Sequence, residues 1–218
     1  DAARAKPIAQ ACDEIIGGAL HSHFVIDMIQ GGAGTSTNMN ANEVIANRAL
    51  ELMGHRKGQY EHLHPNDHVN MGQSTNDVYP TATRLAILFV MRDLLTSARD
   101  LSKALQLKSR AFRTIVKTGR THLQDAVPIT LGQEFGGYAA NVLHAAVELE
   151  RTAEQLHELN LGATAVGTGL NAGDDYTRAA IGNLRRYTHL PVRAATNRFR
   201  VTQSMGDIAH RGEFGRLD

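Results

Sequence analysis

The sequence contains no tryptophan, a single cysteine and no excess of charge of either sign. Because Cys12 is the only cysteine, no disulfide can form within the chain, which is typical of a reducing compartment. Lys and Arg total 23 against 22 for Asp and Glu, so charge gives no reason to expect a nucleic acid or a membrane surface as the main partner. No apolar run approaches the roughly 18 residues that cross a membrane, and the polar segment 1–14 has no signal-peptide core. We expect a cytoplasmic protein.

Prolines are also few, five in 218 residues, and between them the apolar residues recur at helical spacing. The pattern predicts helices at about 8–16, 38–54, 76–104, 131–159 and 176–190. Two of these helices would each be about 40 Å long at 1.5 Å per residue. A domain of this size rarely needs such long helices unless they join a bundle. We therefore predict an all-α fold, a long-helix bundle that forms oligomers.

The segments between the predicted helices are of three kinds. Residues 55–68 are polar and predict a loop. Residues 112–119 fit either a short strand or an extended link. Residues 160–175, "NLGATAVGTGLNAGDD", are punctuated by glycine and fit a loop or a hairpin. The predicted fold class is thus all-α with short extended or hairpin segments.

Three segments carry dense clusters of small hydrogen-bonding side chains. They are "GGAGTSTN" at 31–38, "GQSTND" at 72–77 and "GRTHLQD" at 119–125. A glycine-rich turn that leads into a helix suits an anion, because free N–H groups and the positive helix end point outward. A single N-cap needs only one such side chain, so an elaborate cap is the alternative explanation for Ser74, Thr75 and Asn76. Together the clusters indicate recognition of a small polar anion, without naming a reaction.

Histidine is abundant, with 11 residues, and two regions bear on function. His122 lies beside a threonine and near an arginine, a set that suits a carboxylate and proton transfer near neutral pH, although a lone histidine is more often structural. The segment 62–68, "HLHPNDH", holds three histidines and an aspartate, so metal ligation is conceivable there. Pro65 and Asn66 fit a turn in that segment, and we expect no metal.

Four long segments, in matching order and spacing, resemble the aspartase/fumarase superfamily. They are "GGAGTSTNMNANEVIANRALELMG", "HPNDHVNMGQSTNDVYPTA", "GRTHLQDAVPITLGQEF" and "NLGATAVGTGLN", and the resemblance covers roughly residues 1–208. Within the superfamily the chain is most similar to the aspartate ammonia-lyases. Its "QSTND" stands where fumarases typically show a double serine before Asn-Asp, and Ala163 stands where they tend to have a second glycine.

The resemblance implies an architecture. Family members have an all-α central domain in which four subunits pool their long helices into one core, so we expect a homotetramer. Each active site of the family takes residues from three subunits. On this basis residues 1–75 would be part of an N-terminal domain, residues 76–208 part of the central helical bundle, and residues 209–218 a divergent tail.

The resemblance also implies roles for particular residues. The family's substrate-binding positions match Thr35, Ser74, Thr75, Asn76 and Thr121. His122 matches the catalytic member of the Thr-His pair that completes the pocket. In fumarases the "HPND" loop forms a secondary anion site, which here would be His64, Asn66 and Asp67.

The implied reaction is the elimination of ammonia from L-aspartate to give fumarate, with no metal or organic cofactor. Removal of the C3 proton gives a dianionic enediolate, which well-placed donors stabilise as in an oxyanion hole. The alternatives are fumarate hydratase or another lyase of the superfamily. An alternative from a different class is a non-catalytic helical assembly module that retains an anion pocket.

The family's general base is a serine in a loop written roughly "GSSxMPxKxNP", which also supplies a lysine for the substrate carboxylate. No such segment occurs in the 218 residues, whose prolines are at positions 7, 65, 80, 128 and 191. Since family members are much longer, we expect the chain to be a fragment that lacks the catalytic loop and is inactive alone.

Overall fold

The computed structural model describes residues 1–29 and 31–212, and helices account for most of them. The helices are α1 (Ala2–Ile16), α2 (Thr35–Leu52), α3 (Thr75–Ala111), α4 (Leu131–Ala153), α5 (Asp174–Thr188), α6 (Arg198–Gln203) and α7 (Gly206–Gly212). The strands are β1 (Val116–Thr121), β2 (Gln124–Thr130), β3 (Glu158–Leu159) and β4 (Arg193–Ala194). Short helical turns lie at His21–His23, Pro65–Val69 and Glu154–His157. Within the described residues, every helix is too short or too polar to cross a membrane.

The expected all-α fold class is confirmed, while some helix boundaries differ from the predicted ones. α3 continues to Ala111, beyond the predicted end at residue 104, because "SKALQLKSRA" consists mostly of strong helix formers. α4 ends at Ala153, short of the predicted residue 159. The chain turns there, and β3 pairs in parallel with β4. Leu156 and Leu159, whose spacing suggested more helix, are buried in this turn and strand instead.

The other segments resolve as follows. Residues 112–119 lead into β1, so the strand alternative holds there. The glycine-rich stretch is a loop from residue 160 to 173, and 55–68 is a loop with a helical turn at its end. The tail expected at 209–218 begins within α7, and its residues 213–218 lie outside the described residues.

The chain forms two compact units that are discontinuous in sequence. The first combines Asp1–Thr83 with Glu158–Ser204, and the second combines Arg84–His157 with the described residues from Met205 onward. The return of the later segment to the first unit is not visible in any local pattern. These units differ from the expected division between residues 75 and 76, which concerns domains of longer family members and stays a prediction.

In the first unit, α1 and α2 pack together around a small apolar core. Its buried members are Ala46, Ala49, Leu50 and Leu63. Beside this core, Arg48 donates from Nε and Nη2 to the two carboxylate oxygens of Glu14, at 2.6 and 3.0 Å. The hydrogen bonds from Arg48 hold the pKa of the Glu14 carboxyl below its usual value. This bidentate contact links α1 to α2.

In the second unit, α3 and α4 run antiparallel along a seam of small residues. α4 buries one such residue at every seventh position, namely Gly132, Ala139, Ala146 and Ala153. Across the seam, the Ser109 hydroxyl donates to the Gly132 carbonyl at 2.7 Å, and the Ser102 hydroxyl donates to the Ala139 carbonyl at 2.8 Å. A seven-residue repeat is that of a coiled-coil seam. Small residues there let the two helices approach closely.

Replacing Gly132 with alanine should lower the free energy of unfolding by about 1–3 kcal/mol, because overpacking a tight contact forces the backbone to shift. A Cβ at this position would lie 2.5 Å from the carbonyl oxygen of Ser109 and 2.7 Å from the Cα of Arg113. Urea unfolding followed by circular dichroism measures the change.

The matched control for this prediction is Gly137→Ala on the same helix. A Cβ at Gly137 meets nothing within 4 Å, so the better helix propensity of alanine should raise stability by about 0.5–1 kcal/mol. If both variants unfold at the same urea concentration, the close approach of α3 and α4 at Gly132 is wrong.

Candidate functional site

The N-terminus of α3 is built as a reciprocal cap. Ser74 precedes the helix, and its Oγ accepts a hydrogen bond from the N–H of Asn76 at 3.2 Å. In return, Oδ1 of Asp77 accepts from the N–H of Ser74 at 2.9 Å. The return bond from Asp77, at N3, is that of a capping box, whereas the Ser74 side chain bonds to the N–H of N2. Capping therefore explains part of the donor cluster, and it leaves the side chains of Thr75 and Asn76 for other contacts.

Thr75 receives its hydrogen bond from α2. Nδ2 of the buried Asn38 donates to Oγ1 of Thr75 at 2.9 Å. Because Oγ1 accepts this bond, the hydroxyl hydrogen remains for another acceptor. α2 begins at Thr35, and the preceding Gly34 lies so close to α3 that a Cβ there would be 2.3 Å from Cδ1 of Tyr79. The first two donor clusters are therefore neighbours in space.

Asn76 connects α3 to the glycine-rich loop, residues 160–173. Its Nδ2 donates to the carbonyl oxygen of Ala165 at 2.8 Å. In the opposite direction, Nδ2 of the buried Asn160 donates to the carbonyl oxygen of Asn76, also at 2.8 Å. The partners are 89 and 84 residues apart in sequence, so no local pattern could reveal the connection.

Asp77 makes a third connection to the same loop from a fully buried position. Its Oδ2 accepts from the N–H of Gly162 at 3.0 Å and from the N–H of Thr164 at 2.9 Å. The side chain has no exposed surface. Burial raises the pKa of the Asp77 carboxyl, and the N–H groups that donate to it, led by that of Ser74, offset part of the rise.

A cavity of about 380 Å³ lies beside this junction. It is lined by Asn66, Asn70, Met71, Gly72, Gln73, Ser74, Thr164, Ala165, Leu170 and Asn171. None of these side chains is charged, so the lining offers neutral amide and hydroxyl groups close to the positive end of α3. Such a lining suits a small anion that is held by hydrogen bonds.

A second cavity, of about 240 Å³, lies against α2 and includes Arg48 and Lys57. Arg48 is paired with Glu14 and Glu51, and Lys57 with Glu51 at 3.3 Å. Because both cations already face carboxylates, this cavity has less to offer an anion than the one beside Ser74.

The "HPND" segment is organised mainly by its own hydrogen bonds. Nδ1 of His64 accepts from the N–H of Asn66 at 3.2 Å and from the N–H of Asp67 at 3.4 Å, which caps the turn Pro65–Val69. Asn66 lines the cavity, whereas His64 and Asp67 are not among its lining residues. In the described part of the chain, no group of three or more His, Cys, Asp and Glu side chains is arranged to hold a metal ion.

The third donor cluster forms the tip of the hairpin between β1 and β2. Thr121 pairs with Gln124, and the two residues between them, His122 and Leu123, have φ of 49° and 60°. Two consecutive positive φ values are those of a type I′ turn, which asparagine and glycine favour. His122 is exposed at this tip, and histidine is among the side chains that adopt a positive φ more readily than most.

The predicted site residues are divided between the two units. The first unit holds Thr35, Ser74, Thr75, Asn76, His64, Asn66 and Asp67. The second unit holds Thr121 and His122. Their assembly into one active site stays a prediction.

Four residues at the junction were not predicted as site residues from the sequence, namely Asn38, Asp77, Asn160 and Thr164. The spacing of a capping box, three residues after Ser74, is a signal that could have identified Asp77. Asn38 and Thr164 carry no comparable signal, because their partners lie in distant segments.

Comparison with known proteins gives matches along most of the chain. A family model described as a lyase matches residues 2–211. The aspartate ammonia-lyases of Bacillus subtilis and Pseudomonas aeruginosa are 50% and 52% identical to the chain, over 91% of its length. That of Escherichia coli is 47% identical over 93% of the chain. The matches cover only 42% of each relative, so the chain spans about two fifths of their length.

Solved structures of lyases share the fold of this chain. The fumarate lyase:delta crystallin of Brucella melitensis superposes with a TM-score of 0.92 at 48% identity, over 98% of this chain and 46% of that one. A class II fumarase from Schistosoma mansoni superposes with a TM-score of 0.80 at 36% identity, over 92% of this chain and 45% of that one.

Proposed function

The chain belongs to the lyase family whose model it matches, and we propose from this premise that the full-length protein containing it eliminates ammonia from L-aspartate to give fumarate. The observation that carries the proposal is the identity of about one half to aspartate ammonia-lyases of several bacteria. A location in the cytoplasm, supported by the lone Cys12, is part of the proposal.

The chemistry explains why small donors are needed. A base takes the proton from C3 and the electron pair moves into the adjacent carboxylate. The C2–N bond of the resulting dianion then breaks, so that the protonated amino group leaves as neutral ammonia and a C2–C3 double bond forms. Donors aimed at the growing negative charge lower the barrier, and each one contributes about 2.7–4 kcal/mol in well-studied oxyanion holes.

The junction holds hydrogen-bond donors that we propose belong to the site, although Thr75 and Asn76 are not among the residues that line the cavity. The Thr75 hydroxyl accepts from Asn38 and keeps its hydrogen for a ligand. One N–H of the Asn76 amide bonds to Ala165, which leaves the second for a ligand. With Ser74 on the cavity lining, these groups would bind a carboxylate and the amino group of the substrate. Thr35 and Thr121 are proposed as further contacts.

The proton-transfer groups of the proposed mechanism lie elsewhere. His122 is proposed to act from the hairpin tip, where an exposed imidazole can enter the site of a neighbouring subunit. The general base is proposed to be a serine of the family's loop, which does not occur within these 218 residues.

We propose a homotetramer for the full-length protein. The support is a set of large apolar side chains on α3 and α4 that the single chain leaves between 45% and 70% exposed. They are Phe89, Val90, Leu94, Leu101, Leu107, Tyr138, Leu143 and Val147. Apolar surface on this scale marks a surface for a protein partner. Light scattering of the full-length protein should give the mass of four subunits.

The function is tested by incubating the full-length protein with L-aspartate and following fumarate by ultraviolet absorbance. L-malate, assayed in parallel, tests the fumarase alternative, to which the likeness to the Schistosoma mansoni structure gives some weight. We expect fumarate from aspartate and at least a hundredfold slower formation from malate. Faster turnover of malate would replace the proposed activity, and no turnover of either would favour the non-catalytic alternative.

A further inference from the structure

Asp77 does more than a helix cap requires. A capping carboxylate needs only the bond between Oδ1 and the N–H of Ser74. Its second oxygen instead accepts two N–H groups, those of Gly162 and Thr164, which are 85 and 87 residues away in the chain. A fully buried carboxylate that satisfies three N–H donors holds two distant segments in a fixed relation.

One of these segments contains a residue in an unfavourable backbone conformation. Thr164 has φ of 55°, a value that is a true outlier for a β-branched residue. The other positive-φ positions of the loop are occupied by residues that tolerate it, namely Gly162, Gly167, Gly169 and Asn171. Threonine at 164 is therefore the exception, and its neighbours must enforce the conformation.

The hydroxyl of Thr164 also has no hydrogen-bond partner within the described residues. The residue is only 5% exposed, and Oγ1 is buried with no hydrogen-bond partner there. A buried hydroxyl without a partner is unfavourable. Thr164 lines the same cavity as Ser74, so a ligand bound in this cavity is the nearest source of the missing partner.

We propose that Asp77 is a positioning residue of this site, which holds Thr164 in its strained conformation so that the Thr164 hydroxyl can hydrogen-bond a carboxylate of the bound ligand. The inference rests on the proposed function, because the ligand it implies is a four-carbon dicarboxylate. Asp77 itself has no exposed surface and acts only through the loop.

The strained turn gives a physical advantage to the site. The two hydrogen bonds that Oδ2 of Asp77 accepts from the N–H groups of Gly162 and Thr164 hold the backbone that carries the Thr164 hydroxyl before a ligand arrives. A preorganised donor loses little conformational freedom on binding. A misplacement of about 1 Å can cost on the order of 10²-fold in rate when catalytic contacts depend on it.

The first test is Asp77→Asn in the full-length protein, with succinate as a probe that has the two carboxylates but no leaving group. The amide nitrogen cannot accept a hydrogen bond, so at least one of the N–H groups facing it loses its partner. Isothermal titration should give a Kd for succinate raised about tenfold or more, with an unchanged number of binding sites. A role in folding alone would reduce the number of sites and leave the Kd of the remaining ones unchanged.

Asp207→Asn is the matched control, since it also removes a largely buried carboxylate. Oδ2 of Asp207 accepts from Nε of the buried Arg84 at 2.8 Å, within the second unit. This variant should lose stability and bind succinate with the Kd of the wild type.

The second test is Thr164→Val, which keeps the β-branched shape and removes the hydroxyl. Because the buried hydroxyl has no protein partner, the variant should be at least as stable as the wild type. Loss of a hydrogen bond to a charged ligand should nevertheless raise the Kd for succinate about tenfold. A merely structural threonine cannot give weaker binding together with equal or higher stability.

The outcomes separate this inference from the proposed function. If the wild type binds no succinate, the substrate class is wrong and the inference falls with it. If the wild type binds and both variants bind equally well, only the positioning role is wrong. If Asp77→Asn fails to fold, amide hydrogen exchange of the wild type tests the proposal instead. The N–H groups of Gly162 and Thr164 should be protected from exchange, and their exchange should slow further when succinate is added. Fast exchange at either N–H overturns the proposal.

Discussion

A polypeptide of these 218 residues, purified alone, is expected to form no measurable fumarate from L-aspartate. The proposed donors lower the barrier only if a group removes the C3 proton, and a positioned acid–base group typically contributes roughly 10²–10⁴-fold. The sequence contains no "SSxMPxK" segment to supply that base or the carboxylate-binding lysine. Copies of the same polypeptide cannot supply it to one another.

The serines that are present do not replace the missing base. Two of them lie in the seam of the second unit, where the hydroxyls of Ser102 and Ser109 donate to backbone carbonyls of α4. Ser74 is engaged as the cap of α3. The remaining ones, Ser22, Ser36, Ser97 and Ser204, match no base position of the family.

Ultraviolet absorbance at high enzyme concentration measures this outcome, with the full-length protein as the positive control. Addition of the rest of the full-length protein as a separate polypeptide should restore turnover if the two polypeptides assemble. Steady turnover by the 218-residue polypeptide, at a rate like that of the full-length protein, would show that the base lies within these residues.

In the full-length protein, replacing His122 should lower kcat by roughly 10²–10⁴-fold, the usual contribution of a positioned proton-transfer group. The imidazole stands at the tip of a type I′ turn, exposed and with φ of 49°. His122→Asn is the preferred variant, because asparagine tolerates this backbone conformation and the substitution removes only the imidazole ring. Steady-state kinetics at several pH values measures the loss.

The control for His122 is its neighbour in the same turn. Leu123 has φ of 60° and is 93% exposed, so Leu123→Ala alters the turn without removing the imidazole. It should retain most of the turnover. If His122→Asn is as active as the wild type, His122 is not a proton-transfer or anion-binding group.

Much of the fold could be predicted from the sequence because the pattern of a helix lies in residues that are close together in the chain. The apolar positions of α3 and α4 repeat at helical spacing over many turns, and that repeat identifies both helices. The predicted ends of these two helices were less accurate. At the end of α4, apolar spacing continues through Leu159, yet the chain leaves the helix to pair with β4, a partner more than thirty residues away.

The candidate site was predictable only in part. Excess donors beside a helix start drew attention to Ser74, Thr75 and Asn76, and the structure gives each of them a different partner. That all three side chains face a shared cleft stays a prediction. The residues that hold the site together, Asp77 and Thr164, were missed because their functions come from their partners.

The sequence by itself determined the five longer helices α1–α5, where α3 is capped and which family the chain resembles, since each depends on residues close together in the chain. The short helices α6 and α7 were not predicted. Only the tertiary structure decided that residues 158–204 return to the first unit, that Asp77 binds two N–H groups of the glycine-rich loop, and that Thr164 adopts a positive φ. The physical reason is that the backbone N–H group is chemically the same in every residue except proline, so the sequence does not show which acceptor it will bond to. Which acceptor it meets depends on closing a loop of more than eighty residues, and that depends on the packing of the whole unit.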